Sequence, residues 1–241
     1  MSLALKLALA PLLVAQAIGT RQRAPVLPEA AGPREGRVGE GGAALRLLIA
    51  GDSSAAGVGV AHQEQALAGH LSRALHRHTA RTVHWSLQAR TGLTTQQVFA
   101  LLRELSALPR ADVAVVVSGV NDITTLVPPR RALQQRAALA DWLLAEGAAA
   151  HVVFAPLPPV HRFPLLPQPL RRVMGDDARR HDDALARWAA TRSDVSHTAI
   201  HFELGVEHMA EDGFHPGEPV YRACGEALAA HIAALSIGIP R

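Results

Sequence analysis

Leu45-Arg46-Leu47-Leu48-Ile49-Ala50-Gly51-Asp52-Ser53-Ser54-Ala55-Ala56-Gly57 is the stretch that decides the fold. The apolar run Leu45–Ala50 is too short for a buried helix and stops at Gly51, as a buried strand does. That run is broken only by Arg46, whereas Val113–Val117 is apolar without a break, which marks a strand covered on both faces, the habit of parallel sheets. Outward from it, short apolar runs alternate with longer periodic ones. Ala66–Arg77 has helical spacing at Leu67, Leu71 and Leu75. Thr82–Leu87 predicts a second strand. Thr94–Leu108 predicts a helix, with Val98, Leu101, Leu102 and Leu105 on one face and Thr94 as N-cap. Val113–Val117 is a third strand, and Arg130–Glu146 a helix closed by Gly147. Val152–Ala155 is a fourth strand. Pro156–Pro169 holds six prolines and is read as a stiff loop. Leu170–Arg192 is helical, Val195–Phe202 holds a fifth strand, and Val220–Leu235 closes the chain as a helix. Alternation of this kind implies an α/β fold, a three-layer α/β/α sandwich around a parallel five-stranded sheet.

Composition agrees and narrows the function classes. The chain has 241 residues, 49% of them hydrophobic and 19% charged, with mean hydropathy +0.11. That fits one globular domain with a short appendage and excludes disordered, collagen-like, coiled-coil and disulfide-rich chains. At most one stretch is apolar enough to span a bilayer, so a polytopic membrane protein is excluded. The isoelectric point near 9.9 reflects 23 arginines against the single lysine Lys6, with a formal charge of only +3. The basic residues are scattered or paired, and aromatics are 4% of the chain, so no nucleic-acid surface is expected. Cys224 is alone and reads as a buried, inert thiol.

Upstream lie two further segments. Residues 1–23 are mostly apolar, with Lys6 inside the run and Arg21 and Arg23 after it. Three readings stay open: a cleaved signal peptide ending near Ala15-Gln16-Ala17, an anchor or interfacial helix, or a helix packed on the domain. The first would put the domain outside the cytoplasm; the others leave it cytoplasmic or membrane-associated. Residues 24–42 are rich in Pro, Gly and Glu and are expected to be an irregular linker, with the main domain running over 43–241.

In open parallel sheets the site lies outside the carboxyl ends of the strands, so the residues just after each strand carry the chemistry. After the first strand, Gly51-Asp52-Ser53-Ser54 places a serine at a strand-to-helix turn among small residues, where a nucleophile would be exposed. It is neither the Gly-x-Ser-x-Gly elbow nor a phosphate-binding loop. After the third strand, Ser118-Gly119-Val120-Asn121-Asp122 offers an amide that can donate to an oxyanion. After the fifth, Asp212-Gly213-Phe214-His215-Pro216 spaces a carboxylate so that it can accept from Nδ1 of His215 while Nε2 faces the serine. Each motif has a bland alternative: a helix cap, an Asn-Asp turn, a surface Asp-Gly turn. Their joint placement, in the order serine, amide, acid and base, carries the functional reading.

These motifs resemble the SGNH hydrolases, also called GDSL esterases and lipases. Gly51-Asp52-Ser53 is similar to the first block of that family, Gly119-x-Asn121-Asp122 to the third and Asp212-x-x-His215-Pro216 to the fifth. Thr91-Gly92-Leu93-Thr94 stands where the second block offers a glycine. The resemblance covers about residues 45–235. It implies a flavodoxin-like sheet of strand order 2-1-3-4-5, with Ser53 as nucleophile, His215 as base and Asp212 orienting it. It also implies an oxyanion hole from the Ser53 and Gly92 N–H groups and the Asn121 side chain. Two departures stand out: Ser54 replaces the usual leucine, and Gln88-Ala89-Arg90 replaces an asparagine near the second-block glycine.

The implied activity is hydrolysis of a small-molecule acyl ester through an acyl-enzyme, with no cofactor. Alternatives within the fold are a carbohydrate acetyl esterase, an acyl-thioesterase or lysophospholipase, and acyl transfer. From other function classes stand a non-catalytic binding module that keeps the fold and a flavodoxin-type cofactor binder. The apolar residues of the proline-rich loop (Phe163, Leu165, Leu166) would suit an acyl chain, while Ala55, Ala56 and Gly57 would suit an acetyl group. No metal is expected, because the thirteen histidines form no ligand motif. His197 and His201 would share a strand face as structural or solvated residues.

Overall fold

Leu47 and Ile49 point to one side of their strand and Leu48 and Ala50 to the other, and this alternation sorts the core into two layers. The computed structural model describes residues 3–41, 43–146, 148–200 and 202–235. Gly147 and His201 therefore lie outside the described residues. The strands are β1 (Glu35–Val38), β2 (Ala44–Gly51), β3 (Thr82–Ala89), β4 (Val113–Val117), β5 (His151–Phe154) and β6 (Val195–His197). The helices are α1 (Leu3–Arg23), α2 (Ser53–Ala56), α3 (Leu67–Thr79), α4 (Thr95–Arg103), α5 (Val120–Thr124), α6 (Pro129–Ala145), α7 (Leu170–Ala189) and α8 (Glu218–Ala234).

The sheet has the order β1-β3-β2-β4-β5-β6, with β3, β2, β4, β5 and β6 all parallel. Counted from β2, that is the expected 2-1-3-4-5 with one more edge strand. On one face α3 and α8 pack Leu71, Leu75, Leu228 and Ile232 against Leu47, Ile49, Val113 and Val115. On the other, α4, α6 and α7 pack Val98, Leu139, Leu143 and Leu185 against Leu48, Val116, Val152 and Phe154. Strands clothed on both faces need no polar side, which is why β4 reads Val-Ala-Val-Val-Val.

Two expectations change. The stretch read as an irregular linker contains β1, which runs antiparallel to β3 at the sheet edge, Gly36 opposite Trp85. A side chain at Gly36 would collide with the Trp85 indole at 2.8 Å, so the glycine admits that close approach. The same stretch latches the turn after β3: Glu29 accepts the Thr91 N–H at 2.6 Å. The fifth expected strand, Val195–Phe202, ends at His197. Thr198 N–H still reaches Phe154 O at 3.1 Å, and beyond it the chain leaves the sheet to wall a cavity.

The chain passes from β3 on one side of β2 to β4 on the other. The ends of β2 and β4 therefore frame a switch-point crevice, and Gly51 lets them converge: a side chain there would meet Val117 O at 2.1 Å. A third apolar cluster lies outside the sheet, above this crevice. It joins Ile123, Leu157, Val160, Phe163, Leu166, Leu170 and Leu204, with Leu13 of α1 packed on it.

Candidate active site

Ser53 is the first residue of α2, immediately after β2, and is 8% exposed. Asp52 caps the turn by accepting the Ser54 N–H at 3.0 Å. As the first residue of a helix, Ser53 keeps an N–H with no intrahelical acceptor. Its Oγ lies 3.0 Å from His215 Nε2, and His215 Nδ1 lies 2.5 Å from Asp212 Oδ2. The other Asp212 oxygen accepts the N–H groups of Phe214 and His215, both at 2.9 Å. Burial alone would raise the Asp212 carboxyl, but these hydrogen bonds outweigh it and hold the group below the usual carboxylate range. Three residues from opposite ends of the chain thus form one hydrogen-bonded relay, in the geometry that activates a serine hydroxyl.

Asn121 sits on α5, after β4. Gly119 makes that turn with φ +138°, which only glycine takes freely, and a side chain there would meet Arg136 Nη2 at 2.3 Å. One N–H of the Asn121 amide goes to Leu93 O at 3.0 Å, leaving the second for another acceptor. That bond ties the amide to the exposed turn containing Gly92 (φ +82°). Ser53, Asn121 and His215 line one cavity; Asp212 lies behind His215, and Gly92 is outside the lining.

The cavity has a volume of about 780 Å³. Leu157, Phe163, Leu204, Met209, Phe214 and Val220 supply much of its wall. Ser54 and His197 line it too. His197 is not a solvated surface residue: its Nε2 lies 2.8 Å from Asp182 Oδ1, which also accepts the Leu157 N–H at 2.8 Å. That pair pins the start of the proline-rich loop, a role that sequence spacing alone could not show. Among the described residues no cluster of His, Cys, Asp or Glu is arranged to hold a metal ion. The Cys224 thiol, also at the cavity wall, is pushed up to about 12 by burial.

Beneath the site runs a buried polar clamp. Asp122 accepts the Thr95 N–H at 2.9 Å and the Thr95 hydroxyl at 2.7 Å, and pairs with Arg136 at 3.1 Å. Asp122 and Arg136 are both fully buried. Thr95 opens α4 two residues after Leu93, so the clamp fixes the Gly92 turn relative to Asn121. Asp122 stands in a quoted motif, but nothing in the sequence pairs it with Arg136.

Asp52 gives a pH-dependent prediction. Burial raises its carboxyl to about 7, against lowering by the Ser54 and Gly119 N–H groups and by His215. A carboxyl raised on folding stabilises the fold fully below its unfolded value near 4, and that contribution is lost as pH climbs to 7. In Asp52→Asn the dependence disappears. Relative to the variant, wild type should lose about 3 kcal/mol of unfolding free energy between pH 4.5 and 7.5, at about 1.36 kcal/mol per pH unit. Urea unfolding of both proteins at the two pH values measures this, and a constant difference would contradict it.

Comparison with known proteins agrees with the geometry. The profile of the GDSL-like lipase/acylhydrolase family matches residues 49–223. The GDSL-like esterase Rv1075c of Mycobacterium tuberculosis is 29% identical over 191 residues, which is 76% of this chain and 60% of that protein. The chain thus spans about 60% of that relative's length. Two solved structures share the fold at 15% identity. A member of the lipolytic G-D-S-L family from Veillonella parvula aligns with TM-score 0.61 over 80% of this chain and 100% of its own. An acetylxylan esterase from Geobacillus stearothermophilus aligns with TM-score 0.54 over 83% and 99%. With the family profile spanning most of the chain and the serine, amide and histidine gathered at the strand ends, the chain belongs to the GDSL-like lipase/acylhydrolase family.

Proposed function

We propose that the protein is a carboxylesterase whose acyl pocket takes chains longer than acetyl. Ser53 attacks the ester carbonyl while His215 Nε2 takes its proton, and Asp212 holds the imidazole in the tautomer that presents Nε2. The oxyanion is met by the Ser53 N–H and the second N–H of Asn121, each donor typically worth about 2.7–4 kcal/mol of barrier; Gly92, outside the cavity lining, acts only through the turn whose Leu93 carbonyl holds Asn121. His215 then protonates the departing alkoxide, leaving an acyl-Ser53 that water hydrolyses by the same relay run with water as nucleophile. The relay Ser53–His215–Asp212 carries this reading.

Chain length follows from the cavity. Its volume of about 780 Å³ lies within the roughly 300–1,000 Å³ of small-molecule sites, and its wall is largely aliphatic and aromatic. Each methylene buried in such a wall gains about 0.8 kcal/mol, roughly fourfold in kcat/KM when realised in the transition state. Across p-nitrophenyl esters from acetate to palmitate, kcat/KM should climb by up to fourfold per methylene until the cavity is full, then fall. A maximum at acetate would overturn the acyl-pocket reading and favour a carbohydrate acetyl ester. Hydrolysis confined to thioesters would make the protein an acyl-thioesterase.

A further inference from the structure

Helix α1 turns one side to the protein and an apolar side away from it. Leu9, Leu13, Gln16 and Thr20 recur at helical spacing on the inner side. Leu13 packs on the apolar cluster shared with the cavity wall, and the Gln16 amide donates to Gln168 O at 2.7 Å while accepting the Leu170 N–H at 3.1 Å. The outer side carries Pro11, Val14, Ala15 and Ile18, at i, i+3, i+4 and i+7, with Leu12 on its flank. Val14 is 58% exposed, Ile18 54% and Leu12 46%. A water-facing helix ordinarily puts charge on that side, and a helix apolar all round is ordinarily buried. This one is half buried and half offered to something apolar.

The charges say what. The helix sequence contains no acidic residue. Arg21 and Arg23 end it, and Arg172 is exposed at the adjoining start of α7, near where Gln16 is anchored. An apolar stripe bordered by arginines complements a layer of acyl chains beneath anionic headgroups. We propose that α1 docks the protein side-on to an anionic phospholipid surface. The stripe of Pro11, Val14, Ala15 and Ile18 lies among the upper acyl chains, and Arg21, Arg23 and Arg172 lie at the phosphates. The inner side of the helix stays on the cluster that walls the cavity, so docking sets that cavity beside the lipid. The proposal concerns binding alone and stands or falls independently of the hydrolytic chemistry.

The test is co-sedimentation of the full chain with vesicles of pure phosphatidylcholine and of phosphatidylcholine containing phosphatidylglycerol. Wild type should partition onto the anionic vesicles, and Leu12→Ser/Val14→Ser/Ile18→Ser should lose at least tenfold in partition coefficient. Those side chains are exposed, so hydrolysis of p-nitrophenyl butyrate in solution and the circular dichroism spectrum should stay unchanged. Arg21→Gln/Arg23→Gln should weaken binding to anionic vesicles about fivefold per arginine, with no change on phosphatidylcholine, and added salt should erase the difference. Absence of wild-type binding, or equal binding by the triple serine variant, overturns the proposal. So does a wild-type dimer, seen by sedimentation velocity without vesicle binding, that the serine variant dissolves, because the stripe would then be covered by a second copy.

Discussion

Ser53→Ala is expected to lower kcat/KM for ester hydrolysis by a factor on the order of 10³ or more, the cost of removing a nucleophile whose partners act only through it. The same change should leave the melting temperature within a few degrees of wild type. The serine makes one hydrogen bond to His215, at 3.0 Å, and a single such bond contributes about 1 kcal/mol net. In a domain of this size that is roughly 2–4 °C. Ser54→Ala is the matched control. Ser54 lines the same cavity and its backbone is capped by Asp52, but it is Ser53 that stands at His215. Activity should therefore stay within a few-fold. Loss of activity in Ser54→Ala with retention in Ser53→Ala would reverse the assignment. Initial rates on p-nitrophenyl butyrate, paired with thermal denaturation, distinguish the outcomes.

Why so much of this was legible in the sequence comes down to which interactions are local. The central strand β4 is legible because burial on both faces forces the unbroken apolar run Val113–Val117. The relay is legible because its acid and base lie three residues apart on one loop. Asp212 organises that loop by accepting the N–H groups of Phe214 and His215, so the spacing and the geometry are the same fact. The amide of Asn121 and the turn at Gly92 follow predicted strands, and an open parallel sheet gathers strand ends on one side.

What stayed hidden depends on partners remote in sequence. Strand β1, Glu-Gly-Arg-Val, has no apolar run and a central glycine, features that argue for a loop. It is a strand because β3 offers an unpaired edge and Trp85 needs a residue without a side chain opposite it. The early end of β6 is set by the cavity that the following residues wall, which a hydrophobicity pattern does not report. The apolar character of α1 is visible as composition in the sequence, but which side meets the protein depends on Gln16 finding residues 168 and 170. Arg136 is the clearest case. In sequence it is one of 23 arginines, in a helix with others nearby. In the fold it is fully buried beneath Gly119, with Asp122 as its ion-pair partner.

That burial gives the second large expected effect. Arg136→Met should destabilise the protein by about 3–5 kcal/mol, because Asp122 would be left as an uncompensated charge in the interior. Burial already works against the guanidinium, lowering it from its ordinary value, while Asp122, Asp182 and Asp52 favour its charged form. Nε and Nη1 of Arg136 find no partner among the described residues, so the pair with Asp122 carries much of what compensates the cation. A second change separates a charge effect from a cavity effect. In Arg136→Met/Asp122→Asn neither charge remains, and the new amide can still accept the Thr95 N–H. Chemical denaturation should then show the double variant recovering at least 2 kcal/mol relative to the sum of the single changes, a coupling expected of groups in direct contact. Additive losses would mean that Arg136 only fills space. Activity should follow a different order. Asp122 fixes Thr95, and with it the turn that faces Asn121, and a misplacement of about 1 Å in such a frame can cost on the order of 10²-fold in rate. If the clamp positions the oxyanion donors, the double variant regains stability while kcat stays depressed and KM barely moves. Stability and kcat returning together would reduce the clamp to a packing feature, because a frame rebuilt without its ion pair would then hold the donors equally well.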